Sequence, residues 1–149
     1  MKKCLILSLI IGYFSFVSCQ NEKVQEDTAN IIAKDTNYIH YEETIRKIQL
    51  KLASGDVDIN SLASIKAGTF FNPCDYDEKP YKNIRGYKEY FGLHCELQTY
   101  VENIKALYGN IFKDEQLMES IGVKYNKING NDINKFKEEV FKEINNKRN

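Results

Sequence analysis

The 149-residue chain has no tryptophan, two prolines, two methionines and two histidines. Without tryptophan, the broad flat platform that sugars stack on is missing, which weakens a glycan-binding reading. Both prolines, Pro73 and Pro80, fall in one segment, so the rest of the chain is free of the residue that breaks helices. Basic and acidic side chains balance at 21 each with no basic block, which argues against nucleic acid and against a polybasic lipid-binding surface. There is no G-x-S-x-G, P-loop, H-E-x-x-H or C-x-x-C pattern. The sequence therefore names no reaction, no metal and no cofactor, and the expectation is a protein that is not an enzyme.

Only one long apolar run is present, Cys4 to Val17, behind the cationic start Met1-Lys2-Lys3. It is shorter than the ~20 residues that a membrane-spanning helix needs and has the length of a signal-peptide core. Phe16-Val17-Ser18-Cys19 closes the run with a small residue before a cysteine. This tetrapeptide resembles the lipobox of bacterial lipoproteins, with Phe16 where Leu is usual and Val17 where Ala or Ser is usual. The resemblance implies cleavage after residue 18, acylation of Cys19, and anchoring of the mature chain in a bacterial cell envelope. Several acyl chains at ~0.8 kcal/mol per buried methylene give stable anchoring. Gln20, not Asp, follows the cysteine. By resemblance to sorting rules this implies the outer membrane, facing the periplasm or the cell surface.

Of the four cysteines, Cys4 leaves with the signal and Cys19 carries lipid. Cys74 and Cys95 remain as an even pair in an oxidising compartment and are expected to form one disulfide. Closing a loop of about twenty residues is worth roughly 3 kcal/mol on the chain-entropy model.

Residues 20–37 are polar, with large apolar positions at Val24, Ile31 and Ile32 only, and residues 19–37 read as a tether that can turn helical towards its end. The domain then spans 38–149. Tyr41, Ile45, Ile48 and Leu52 follow helical spacing up to Gly55. Asp58 offers an N-cap for a short helix through Leu62 and Ile65, ending at Gly68. The longest pattern runs from Tyr87 to Tyr108, with Tyr87, Phe91, His94, Leu97, Val101, Ile104 and Tyr108 on one face and Gly109 after it. Asp114 to Ile121 reads as a short helix stopped by Gly122, with Val123-Lys124-Tyr125 as a candidate lone strand. Asp132 to Asn145 carries Ile133, Phe136, Val140, Phe141 and Ile144 at helical spacing. The expected fold is all-α, a small irregular bundle of four to five helices with one disulfide-stapled aromatic loop.

That loop is the most distinctive local feature. Seven of the fifteen aromatics of the mature chain (Phe70, Phe71, Tyr76, Tyr81, Tyr87, Tyr90 and Phe91) fall in 22 residues. A tyrosine-rich loop mixed with charged residues makes a preorganised recognition surface. The contact residues expected from it are Tyr76, Asp77, Tyr81, Arg85, Tyr87 and Tyr90. The bland alternative is that several of these rings cap the helical core.

Other constellations are weaker. His94 and Cys95 are sequence neighbours, but adjacent helical residues point about 100° apart, so they do not form a nucleophile pair. Asp75, Asp77 and Glu78 form a carboxylate cluster without calcium-loop spacing, balanced by Lys79 and Lys82.

These observations point to a lipid-anchored envelope protein that acts by binding another protein, such as an immunity or inhibitor protein against a periplasmic toxin. One rival is an envelope enzyme or glycan-binding module built on the 75–78 carboxylates. Another is an accessory subunit of an envelope complex, which predicts an exposed apolar patch away from the loop, for instance on the C-terminal helix.

Overall fold

In the computed structural model, residues 24–64 and 72–146 are described. The signal, Cys19, Ile65 to Gly68 and the rings of Phe70 and Phe71 lie outside them. The described residues form an all-α fold with no strand. Its helices are α1 (24–32), α2 (Thr36–Ser54), α3 (Ile59–Ser64), α4 (Tyr87–Tyr108), α5 (Glu115–Ile128) and α6 (Ile133–Asn146), with a 3-10 turn at Ile111–Lys113. Helix α2 packs against both α4 and α6.

Four of the helices start where a side chain satisfies their first amides. Asp35 accepts from the amides of Asn37 and Tyr38 at the head of α2, Asp58 from Ser61 at α3, Asp114 from Leu117 at α5, and Asp132 from Asn134 at α6. Gly55 ends α2 in the left-handed conformation expected of a helix-terminating glycine. Gly86 precedes α4 with φ of 74°, and a Cβ there would collide with the carbonyl oxygen of Asp56. Only glycine lets the strand of chain entering α4 lie directly on the α2–α3 turn.

Two expectations change. Residues 24–33, read as part of the tether, supply Ala29, Ile32 and Ala33 to the core, each fully buried. The spacing i, i+3, i+4 puts the three on one face, and two of them are alanines, which a scan for large apolar residues passes over. Glu26 of this helix also meets Lys124 of α5 at 2.6 Å, and the Lys124 ammonium holds the Glu26 carboxyl below its ordinary range. The second change concerns Gly122, which does not stop α5, and Val123-Lys124-Tyr125 is helix, not strand. Ile121 and Tyr125, one turn apart, are both buried, and the Asn126 side chain donates to the Gly122 carbonyl. Burying a tyrosine outweighs the ~1 kcal/mol that a glycine costs inside a helix.

The main core joins Ala29, Ile32 and Ala33 of the α1 segment with Tyr38, Ile104, Ile111, Ile121 and Tyr125. Its polar tips are matched: Tyr38 donates to Glu42 at 2.8 Å and Tyr108 to the capping residue Asp35 at 3.0 Å. Burial pushes the hydroxyls of Tyr38, Tyr108 and Tyr125 above the ordinary tyrosine range, so they remain neutral donors. Because Ile32 is fully enclosed, Ile32→Ala should lower unfolding free energy by about 2–4 kcal/mol in denaturant titration. A change within ~0.5 kcal/mol would fit a tether instead.

Candidate functional site

Cys74 and Cys95 form a disulfide, with Cα atoms 4.8 Å apart, as expected. It ties the strap of residues 72–86 to α4. The structure places the strap's aromatics largely on one another. Tyr76 and Tyr81 lie 4.5 and 4.9 Å from the Phe91 ring, both edge-on, and Tyr87 and Tyr90 complete the ring of neighbours at 6.2 and 5.9 Å. Phe91 and Tyr87 are buried, at 3% and 7% exposure, and neither belongs to the main core. Tyr76, Tyr81 and Tyr90 are half-buried, while Asp77 and Arg85 are exposed. Of the six expected contact residues, then, Tyr87 lies inside, three show one edge, and two stand at the surface. The strap is a second, smaller core with a charged rim.

The carboxylates near it are tied up or dispersed. Glu78 pairs with Lys88 at 3.2 Å and accepts from the Tyr87 hydroxyl at 3.4 Å. Among the described residues no group of three or more His, Cys, Asp and Glu side chains is arranged to hold a metal ion. His94 packs on Tyr90 with ring centres 4.4 Å apart, and its buried Nε2 has no hydrogen-bond partner among the described residues.

A second site lies where α2 meets α6. Between α2 and α6 runs a groove of about 910 Å³ lined by Leu52, Ala53, Ile133, Phe136, Val140, Phe141 and Ile144, with Gln49 and Lys137 as its polar members. Helix α6 contributes no buried residue, and Phe141 and Ile133 are 63% and 46% exposed. What holds α6 at its head is Arg46. Its guanidinium donates to Asn126 of α5 at 2.8 Å and lies 4.9 Å from the centre of the Phe136 ring. The spacing of Ile133, Phe136, Val140, Phe141 and Ile144 marks an apolar face in the sequence. The α2 wall, and the fact that the face is left open, are visible only in three dimensions. No family model, curated protein or solved structure matches this chain.

Chemically the groove is poor. Its lining is apolar apart from one amide, of Gln49, and one ammonium, of Lys137. It is a surface for apolar contact.

If Tyr76 is part of the second core, Tyr76→Ala costs about 1–3 kcal/mol in denaturant titration, whereas a free contact residue would cost almost nothing. Burial holds the His94 imidazole below the ordinary histidine range, so the folded state favours the neutral ring. Its contribution is complete above the ordinary histidine range, about pH 6.5, and is lost as pH falls from there through the lower folded value. The thermal midpoint should drop on acidification, and less so in His94→Gln.

Proposed function

We propose that this is a lipid-anchored cell-envelope protein that works by docking on another protein through the groove between α2 and α6. The observation that carries the reading is the open apolar face of α6, with Phe141 and Ile133 in solvent beside Leu52 and Ala53 of α2. An isolated exposed side chain means little, but a contiguous apolar groove on a small domain marks an interaction site. A groove walled by two helices suits the apolar face of a third helix, laid in at i, i+3, i+4 and i+7. The anchor reading rests on the lipobox-like Phe16 to Cys19 and on the apolar run before it. No described helix is long and apolar enough to cross a membrane.

Within this class, an accessory subunit of an envelope complex fits better than a toxin-neutralising immunity or inhibitor protein. The immunity reading drew on the aromatic strap, whose rings pack mainly against one another and against α4. A rigid domain held near the membrane by its lipid, offering one apolar groove, is suited to holding a helix of a neighbouring subunit.

The test uses the full lipidated chain, extracted from envelopes in mild detergent and sized by native separation. Phe141→Glu and Ile133→Lys should remove the larger assembly while shifting stability by no more than ~0.5 kcal/mol, because neither side chain is buried. Arg85→Ala on the strap rim should leave the assembly intact. The reverse pattern, with the assembly lost on changing the strap and kept on changing α6, would contradict the reading.

A further inference from the structure

The groove between α2 and α6 carries one charge in its lining, the Lys137 ammonium. Phe136, Val140 and Ile144 line it at four-residue spacing, so Val140 is the midpoint of the apolar row on α6. Charged residues of α6 accompany that row. Lys137, Glu138 and Lys142 are exposed and Glu143 is half-buried. None of the four forms an ion pair among the described residues. Glu138 and Lys142 stand one turn apart on one helix, a spacing at which opposite charges attract only weakly.

The order of these charges selects an occupant. When a second α6 lies antiparallel on the first, with the two Val140 residues at the crossing, each position before Val140 comes level with the equally distant position after it. Phe136 then meets the level of Ile144 of the second copy, Lys137 that of Glu143, and Glu138 that of Lys142. The two-fold axis repeats every match. A parallel copy does the opposite and sets Lys137 against Lys137, Glu138 against Glu138 and Lys142 against Lys142. An isologous contact needs a patch complementary to itself, and the antiparallel register supplies one. The apolar row gives contact area, while the charges fix orientation and register.

We propose that the occupant of the groove is a second copy of this chain, its α6 laid antiparallel on the first about a two-fold axis at Val140. The inference rests on the docking reading given above and names the partner. Phe141, exposed in the single chain and one residue from the axis, is covered by the other copy.

The experiment co-expresses two differently tagged forms of the full chain, extracts the envelopes in mild detergent, captures one tag and measures the other. Wild-type copies should capture each other, and Phe141→Glu in both should abolish capture. Glu138→Lys in both copies, or Lys142→Glu in both, sets like charges level and should lower capture roughly fivefold or more. Glu138→Lys in one copy with Lys142→Glu in the other restores opposite charges between copies. Capture should then return to within about twofold of wild type. The pair within each helix stays broken in that mixture, so recovery reports contact between copies. Every form keeps the same N-terminal segment, so chance sharing of a micelle is equal in all. Capture that ignores the charge changes, or a mixture as weak as each variant alone, overturns the proposal. If wild-type copies fail to capture each other while the larger assembly is still lost on Phe141→Glu, the proposal falls and the docking reading stands. Copies that capture each other undiminished by Phe141→Glu overturn both.

Discussion

The structure depends on α4 serving two apolar clusters at once. Phe91 near its start and Ile104 near its end are 13 positions apart, about 20 Å along a helix. Around Ile104 gather the α1 segment, α2, the 3-10 turn and α5. Around Phe91 gather the strap tyrosines, held by the disulfide. One rigid rod thus fixes the position of both, and α2, lying along it, offers its other side to α6. Because both clusters close without α6, the apolar face of that helix has no interior to fill. The groove is the consequence of this division, not an accident at a fraying end.

Several polar side chains tie helix α2 to its surroundings. Asp35 caps α2 and also receives the Tyr108 hydroxyl, so one carboxylate joins the start of α2 to the end of α4. Glu42 receives the Tyr38 hydroxyl in the same way. Asn103 donates to Asn37 at 3.1 Å, a further tie between these two helices at their surface. The tyrosines that burial keeps neutral act as long apolar wedges with a hydrogen-bonding tip, a role that suits a chain without tryptophan.

Much of this was legible in the sequence, and the reasons for the exceptions are physical. Helix α4 runs from Tyr87 to Tyr108 as its periodicity indicates, and the disulfide joins the two cysteines that were expected to pair. Asp58, Asp114 and Asp132 cap the helices they were expected to start. Residues 24–33 escaped because alanine is a weak signal: it looks polar beside Glu and Asn yet fits where α1 must approach closely. Gly122 misled because local propensity yields to tertiary burial, here of Ile121 and Tyr125. The strap shows the limit of composition. Seven aromatics in 22 residues announce an unusual segment, but whether rings face outward or face each other depends on the covalent tie and on Phe91. For α6 the apolar face is plain in the sequence, and only the lack of a covering element among the described residues makes it a candidate docking surface.

The claim that both clusters close without α6 is tested most directly by native-state hydrogen exchange, resolved by segment. The account predicts strong and similar protection for the α1 segment, α2, the Ile104 end of α4, and α5. Amides of α6 should exchange at least roughly tenfold faster than these, because few of their side chains are held. Protection in α6 equal to that of the Ile104 end of α4 would mean that α6 belongs to the core, and the docking groove would lose its basis.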